Sequence, residues 1–351
     1  MNELSERQKI ILALVIRDHI ETAQPVGSVR LVEQYHLDFS SATVRNEMVS
    51  LTELGYLRQP HTSAGRVPSE EGYRYFVRQL MGNTELPAPT RRTITHQFYQ
   101  AGADVDRWMR LAASVLAHQA QAASLVTAPH AERSIFKHLE LINTHGRQVL
   151  MVLVLSGGQV TQQMLTLAEP VSQEQLSAVA QSINRICSGL DSDSIAGLSI
   201  PLSALEQDVL RLAVEEMRRS SALATGELYR DGLTHVLAEP EFGEADSARR
   251  ALRILEERPL LEDLLARTVL STEPGGVQVL IGGEGAWEEL KECSVVLARY
   301  GAPGLATGTL GVLGPMRMPY GRTISTVRFM AGLLSDLVED MLVEKGSNRQ
   351  E

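Results

Sequence analysis

The stretch "SSATVRNEM", residues 40–48, decides the fold of the N-terminal part of the chain because it opens a helix with two different sides. At 100° per residue, the apolar positions of this helix share one side: Val44, Met48, Leu51 and Leu54. Small, polar and charged residues share the other side: Ala42, Arg45, Asn46, Val49 and Glu53. We therefore expect one side to pack and the other to remain free.

Two helices are predicted before this one. Ser5 and Gln8 form a capping-box pattern, and the apolar residues that follow continue a first helix toward Glu21. Ser28 is a second candidate cap, for a short helix over residues 29–35. A short helix, a tight turn and a helix that begins with polar residues are typical of a helix-turn-helix. On the helix alone, an ordinary amphipathic helix with a solvated side is an equally good interpretation.

A hairpin is predicted directly after the third helix, which ends at Gly55. Residues 56–59 form one strand, the turn-rich loop 60–65 follows, and residues 66–67 begin the return strand. Arg58 and Arg66 flank the loop, and such cations suit phosphate or minor-groove contacts. A solvated hairpin is the alternative, but helix and hairpin occur in the order of a winged helix.

Candidate DNA-binding residues follow from this interpretation. Arg suits guanine O6 and N7, Asn suits adenine N6 and N7, and small apolar side chains suit the thymine methyl group. The residues expected to read bases are Arg45 and Asn46, with Ala42 and Val49 beside them. The residues expected to contact the backbone or to build the wing are Ser41, Thr43, Arg58, His61, Thr62, Ser63 and Arg66.

The charge distribution allows a nucleic-acid partner although the formal net charge is -10. Residues 1–80 hold nine Lys and Arg against ten Asp and Glu and are nearly neutral. Residues 55–67 contain Arg58, His61 and Arg66 and no carboxylate. A small, locally basic surface is therefore expected on an acidic protein.

The rest of the chain is predicted to form one α+β domain that carries an insertion. Residues 82–90 form a Pro-containing polar linker, and a long helical stretch runs from residue 91 to about 125. A helical block over residues 172–267, interrupted by "EPEF" at 239–242, separates two groups of three strands. The strands are predicted at residues 137–143, 148–155, 160–167, 277–281, 294–300 and 308–314, before a final helix at about 325–344.

No enzymatic motif is recognisable, so we expect no catalysis, no cofactor and no metal. "LSGGQ" at residues 155–159 matches the signature of transporter ATPases, but none of the four lysines follows a glycine, as a phosphate-binding loop requires. A Gly-Gly hairpin turn is the better interpretation. His138 and His145 have no third metal ligand nearby.

Composition favours a soluble, cytoplasmic protein. Residues 149–155 form the strongest apolar run, which has the length of a buried strand and not of a membrane helix. The first residues lack a signal-peptide pattern. Cys187 and Cys293 lie too far apart to indicate a zinc or redox motif, and we expect both to be reduced.

Three stretches resemble the HrcA family of heat-inducible transcription repressors. They are "PVGS" at 25–28, "SSATVRNEMVSLTELGYLRQPHTSAGRVPSEEGYRYFV" at 40–77 and "GTLGVLGPMRMPYGRTISTV" at 308–327. Two positions depart from the family pattern: Met316, where Thr is common, and Gly285, where Asn is frequent. The resemblance covers nearly the whole chain and is weakest in the middle.

The resemblance implies an α+β multidomain fold. Its parts are a winged helix-turn-helix at 1–81, the linker at 82–90, a GAF-like domain at 91–171 and 268–345, and an inserted, mainly helical dimerisation region at 172–267. It also implies a homodimer that binds an inverted-repeat operator in double-stranded DNA upstream of chaperone genes, that is kept active by the chaperonin GroEL, and that is released on heat stress. The alternative is a ligand-responsive transcription regulator whose GAF-like domain binds a small molecule.

Overall fold

The fold was described from a computed structural model of the 351-residue chain. The structure describes residues 4–61, 64–82, 84–131, 135–155, 160–167, 169–198, 200–223, 227–243, 250, 253–268, 274–282, 287–303 and 306–347. Helices and strands are both abundant, so the fold is mixed α+β. The chain forms two compact units: Met1–Ala128 with Glu227–Gly301 and Gly308–Glu351, and Pro129–Gly226 with Ala302–Thr307.

The first unit begins with three helices: α1 (Glu6–Thr22), α2 (Ser28–Tyr35) and α3 (Ser41–Glu53). The predicted capping box is present, because Ser5 Oγ accepts from the Gln8 amide while Gln8 Oε1 accepts from the Ser5 amide. Apolar side chains from all three helices form a common core: Ile11, Leu12, Val15, Ile16, Leu31, Val44, Met48 and Leu51. The arrangement therefore buries the apolar side predicted for α3.

Two details of these helices were predicted wrongly. Ser28 is the first residue of α2 and not its cap, because Gly27 occupies the N-cap position and makes no side-chain bond. Leu54 is 42% exposed, since α3 ends one residue earlier. Gly55, with φ of +84°, turns the chain directly after Leu54, and the Leu54 side chain is left at the surface.

A hairpin follows α3. Strands β1 (Leu57–Arg58) and β2 (Val67–Pro68) pair antiparallel, with Leu57 opposite Pro68. Beside them, the backbones of Val26 and Arg66 exchange two hydrogen bonds of 2.8 and 2.9 Å. Helix α4 (Glu70–Tyr75) and a π-helical turn (Phe76–Leu80) follow. We call residues 4–82 the head.

His19 lies in a buried contact between α1 and α4. Its Nδ1 and the hydroxyl of Tyr73 share a hydrogen bond of 2.7 Å. Burial lowers the pKa of the His19 imidazole from 6.5 to about 4, so the folded protein holds this ring neutral.

We expect acid to destabilise the protein through His19. Because the folded-state pKa is depressed, the unfolded chain binds the proton first, and stability falls as pH drops from 6.5 toward 4. Between pH 7 and pH 5 the free energy of unfolding should fall by about 1–2 kcal/mol, allowing for partial exposure. Urea unfolding of His19→Gln should lack this part of the pH dependence. The exposed His118→Gln should retain it, and an unchanged profile in His19→Gln would contradict the assignment.

Beyond the head, the first unit is built on a sheet of antiparallel strands. Helices α5 (Ala88–Ala101) and α6 (Val105–Ala120) lead to strand β3 (Ala123–Thr127), which is buried along its length. β3 pairs with two later strands of the same sheet, over residues 228–231 and 310–313. Its pairing partners are therefore distant in sequence.

The second unit contains a three-stranded antiparallel sheet and helices. Strand β4 (His130–Ala131) pairs with residues 306–307, and then β5 (Phe136–His145), β6 (Gln148–Leu155) and β7 (Val160–Thr166) form a meander. Helices α7 (Gln173–Cys187), α8 (Ser192–Ala196) and α9 (Ala204–Leu223) follow. The strand predicted at 148–155 is present as β6, but only alternate residues are buried, so the apolar run is not the fully buried strand that its length suggested.

The outer strand β5 is joined to α7 by side-chain amides. Asn184 both accepts from the Leu139 amide, at 2.7 Å, and donates to its carbonyl, at 2.9 Å. Gln173 donates to the carbonyl of Leu141 at 2.9 Å and accepts from the Asn143 amide at 2.8 Å. These bonds satisfy backbone groups at an edge that would otherwise invite pairing with another strand.

The chain then returns to the first unit. It forms β8 (Leu228–Asp231), α10 (Leu233–Leu237), a 3₁₀ turn (Pro240–Phe242), α11 (Arg258–Thr268) and β9 (Val277–Ile281). A second 3₁₀ turn (Glu288–Leu290), β10 (Cys293–Ala302), β11 (Ala306–Pro315) and α12 (Tyr320–Ser347) complete it. The strand order in the large sheet is β8-β3-β11-β10-β9.

Helices cover both faces of this sheet. On one face, Val295 and Leu313 share a buried cluster with Leu261 of α11 and Val236 of α10. On the other face, Ser124 donates to the Ala113 carbonyl of α6 at 2.7 Å. The hydroxyls of Ser294 and Tyr320, on β10 and α12, lie 2.7 Å apart. We call this sheet and its flanking helices the body.

The structure differs from the predicted organisation in two respects. The stretch predicted as one helix from residue 91 to 125 is two helices and a strand, because Asp104 caps a new helix and β3 finds its partners far along the chain. The six predicted strands exist, but they lie in two sheets, three in each compact unit. Strands β3, β4 and β8 were missed, since short Ala- or polar-rich runs carry little strand signal.

Candidate nucleic-acid interface

The exposed side of α3 carries the side chains predicted to read bases. Arg45, Asn46 and Ala42 are exposed, and Val49 is 38% exposed. Val44, Met48 and Leu51 on the opposite side are buried in the head. The helix therefore presents a guanidinium and a carboxamide on a rigid support.

The first turn of α3 is held by its own hydroxyls. Ser40 Oγ accepts from the Thr43 amide at 3.1 Å and lies 2.9 Å from Thr43 Oγ1. Ser41, the first helical residue, is half-buried. The first turn contains no carboxylate, so the positive end of the helix dipole is not neutralised there. The start of α3 is thus suited to a phosphate, while Thr43 already has a local partner.

Arg66 is held between the hairpin and α3. Its Nε donates to Thr52 Oγ1 at 3.0 Å, and Thr52 in turn donates to the Met48 carbonyl at 2.7 Å. Arg58 on β1 and His61 at the loop are exposed. The predicted residues Thr62 and Ser63 lie outside the residues that the structure describes.

A cleft of about 440 Å³ lies between α3, the start of α2 and the hairpin. Arg45 and Val49 line it from α3, Arg66 lines it from the hairpin, and Gly27 and Ser28 line it from the start of α2. Of the predicted residues, the structure brings Arg45, Val49 and Arg66 together around this cleft. Ser41, Ala42, Thr43, Asn46, Arg58 and His61 do not line it.

The carboxylate within this part of α3 is turned away and paired. Glu47 is 21% exposed at its side chain and forms an ion pair of 3.4 Å with Arg7 of α1. The Arg7 guanidinium also lies 5.2 Å from the centre of the Phe39 ring. Glu47 therefore does not neutralise the positive charge of Arg45 on the exposed side of α3.

Three residues at this site were not predicted from the sequence. Gln59 fastens the hairpin loop by donating to the Ala64 carbonyl at 3.2 Å. Thr52 holds Arg66, and Gly27 lines the cleft at the N-cap position of α2. Their roles depend on backbone positions brought together by folding, and only the "PVGS" motif gave a signal for one of them.

Comparisons with known proteins decide the family. The model of the HrcA protein C-terminal domain matches residues 106–324. A heat-inducible transcription repressor HrcA from Roseiflexus castenholzii is 45% identical over 99% of this chain and 98% of its own length. The chain belongs to the HrcA family. Another family member, from Herpetosiphon aurantiacus, is 44% identical over 98% of both chains.

One solved structure supports the fold of this HrcA-family chain. A protein described as hypothetical, solved at 2.2 Å resolution, aligns with a TM-score of 0.58 over 96% of this chain and 98% of its own, at 24% identity. At this identity the likeness concerns the fold alone. The resemblance read from the three sequence motifs is thus confirmed by the curated relatives.

Two kinds of feature are absent from the part of the chain that the structure describes. Among them, no helix combines the length and apolarity needed to cross a membrane. No group of three or more His, Cys, Asp or Glu side chains in the described part of the chain is arranged to hold a metal ion. Cys187 and Cys293 are buried and free, and burial raises the pKa of the thiols to about 11 and about 12, respectively.

Proposed function

We propose that the chain represses heat-inducible chaperone genes by binding operator DNA through the head. The observation that carries this proposal is the exposed side of α3, which presents Arg45 and Asn46, with Arg45 also lining the cleft that Arg66 lines from the hairpin. Helices α2 and α3 correspond to a helix-turn-helix, and the β1–β2 hairpin corresponds to its wing. Residues 1–81 are then the DNA-binding domain.

Arg45 and Asn46 read base edges in the major groove, and Ala42 and Val49 contact thymine methyl groups. Ser41 and Thr43 lie at the start of α3, where free backbone amides suit a phosphate. Arg58, His61, Thr62, Ser63 and Arg66 belong to the wing and its flanks, and they contact the backbone or the minor groove. Base contacts give specificity, whereas phosphate contacts give register and affinity.

Two copies of the chain bind one operator in this proposal. A two-fold symmetric dimer places two α3 helices in successive major grooves of an inverted repeat. In this proposal the dimerisation region is the inserted part at residues 172–267, and residues 91–171 and 268–345 form a GAF-like domain. The antiparallel sheet of the body, covered by helices on both faces, is compatible with that assignment.

The proposal that a chaperonin controls the repressor rests on the family resemblance. The chaperonin GroEL keeps the repressor folded and active, and unfolded clients withdraw it during heat stress, so repression is released. We favour this over a ligand-responsive regulator because the curated relatives are named heat-inducible repressors.

Fluorescence anisotropy titrations test the proposal. The full chain is titrated, with and without chaperonin, onto an inverted-repeat operator and onto a scrambled duplex at fixed salt. Operator-selective binding that chaperonin strengthens is the expected result. Equally weak binding to both duplexes under all conditions would refute a repressor that reads sequence.

Replacing Arg66 with alanine should weaken binding to operator and scrambled DNA alike. The guanidinium faces the cleft from the wing and supplies charge for the phosphate backbone, not base recognition. The slope of log affinity against log salt should become shallower by roughly one. Arg66→Lys should keep most of the slope because it keeps the charge. A loss confined to the operator would show that Arg66 reads sequence instead.

A further inference from the structure

The head is fastened to the body by polar contacts at several separated points. Arg74 of α4 donates to the Ile281 carbonyl at the end of β9, with a distance of 2.8 Å. Its guanidinium is also paired with Glu70 at 3.0 Å, and its side chain is only 19% exposed. This contact links the last helix of the head to an outer strand of the body's sheet.

A second contact involves aromatic rings. Tyr73 of α4 and Tyr320 of α12 are both fully buried, with ring centres 6.0 Å apart. Tyr320 is fixed from the body side, because its hydroxyl lies 2.7 Å from that of Ser294 and donates to the Met316 carbonyl at 2.6 Å. Tyr73 is fixed from the head side by His19.

A third contact is made by Arg317, which lies between β11 and α12. Its side chain is 13% exposed and forms ion pairs with Glu239 and Glu241 of the body. A remaining N–H reaches the carbonyl of Ile20 near the end of α1, at 3.5 Å. The body thus touches the first helix of the head as well as the last.

The segment that follows the head also contacts the body. Thr84 donates to the Gly321 carbonyl of α12 at 2.8 Å, and Leu86 is buried. The segment predicted as a polar linker at residues 82–90 is therefore attached to the body through Thr84. Contacts on α1, on α4 and on the connection together oppose rotation of the head about any single axis.

We propose that Arg74 and Thr84, together with Arg317, are positioning residues that set the orientation of the head and thereby make the repressor sensitive to the spacing between operator half-sites. The inference rests on the proposed binding of a dimer to an inverted repeat. A head held in one orientation fits one separation of half-sites, whereas a head that rotates freely tolerates several. None of these residues lines the cleft that faces DNA.

The DNA test compares operators of different spacing. The wild-type protein should bind the cognate inverted repeat much better than a repeat lengthened by about 5 bp, which is half of a helical turn. Arg74→Met keeps most of the side-chain stem but removes the hydrogen bonds to the Ile281 carbonyl, Glu70 and Glu71. It should reduce the ratio of the two affinities by roughly fivefold or more, while binding to an isolated half-site stays within about twofold of wild type.

Two further variants make this comparison specific. Thr84→Val removes only the hydroxyl donor and should shift the spacing ratio in the same direction without endangering the fold. The exposed Arg78→Met, one turn beyond Arg74, removes the same charge and should leave the ratio unchanged. If Arg74→Met and Thr84→Val both keep the wild-type ratio, the inference is wrong.

A measurement without DNA separates this inference from the proposed function. Glu33 is exposed on α2, and both native thiols are buried, so Glu33→Cys accepts a fluorophore selectively. The anisotropy decay of the label should follow overall tumbling in the otherwise wild-type chain and gain a faster component in Arg74→Met and Thr84→Val. A fast component already present without these changes would overturn the fixed head, whatever the DNA result. A wild-type protein with a fixed head but no operator selectivity would instead refute the proposed function.

Discussion

Replacing Gly65 with alanine is expected to destabilise the protein by about 3 kcal/mol and to abolish tight operator binding. A Cβ at this position would lie 2.3 Å from the Val26 carbonyl oxygen and 2.5 Å from its carbon. Both neighbours are backbone atoms, held by the two hydrogen bonds between Val26 and Arg66. The methyl group therefore cannot coexist with this pairing.

Loss of the pairing moves the base of the hairpin away from the start of α2. Arg66 would then leave the cleft, so stability and DNA affinity should fall together. Urea unfolding followed by circular dichroism measures the first quantity, and anisotropy titration measures the second.

Gly27→Ala is the matched control for this prediction. Gly27 lines the same cleft, but among the described residues no atom outside its chain neighbours lies within 4 Å of a Cβ placed there. Its substitution should change the free energy of unfolding by less than about 1 kcal/mol. Equal stability of the Gly65 and Gly27 variants would show that the approach to Val26 is not as close as described.

Replacing Arg45 with alanine should reduce affinity for the operator by about 1–3 kcal/mol and relax its sequence selectivity. The reason is that a bidentate contact from arginine to guanine discriminates against the other bases, and alanine offers no donor. Arg45 is exposed, and Val44 beside it carries the packing, so the fold should be unaffected.

The measurement is the ratio of affinities for the operator and the scrambled duplex. Arg17→Ala, an exposed cation on α1, serves as a control for the lost charge. Equal losses of Arg45→Ala on both duplexes would assign Arg45 to the phosphate backbone.

Much of the head was predictable because its signals are local. The capping box of Ser5 and Gln8 and the two sides of α3 depend on spacings of three or four residues, and the structure confirms both, apart from the exposed Leu54. Strands with strong apolar runs were also found. β6 and β9 have the predicted bounds, whereas β5, β10 and β11 extend one or two residues beyond the predicted ends. The alternating burial of β6 follows from the pleat of a strand.

Contacts between distant residues were not predictable in this way. The run at 123–127 reads as the continuation of an Ala-rich helix, and it becomes strand β3 only because β8 and β11 supply hydrogen bonds on both sides. Arg66 reads as a free phosphate-binding cation, whereas in the structure Thr52 holds its guanidinium.

The sequence by itself therefore determined the family, the helices of the head and the exposed residues of α3, because each depends on neighbouring residues or on motifs preserved as continuous stretches. Only the tertiary structure decided that the six predicted strands lie in two sheets and that Arg74, Thr84 and Arg317 join the head to the body. The contacts of Arg74, Thr84 and Arg317 pair groups that are 207, 237 and 297 residues apart, and local propensity carries no information about such partners.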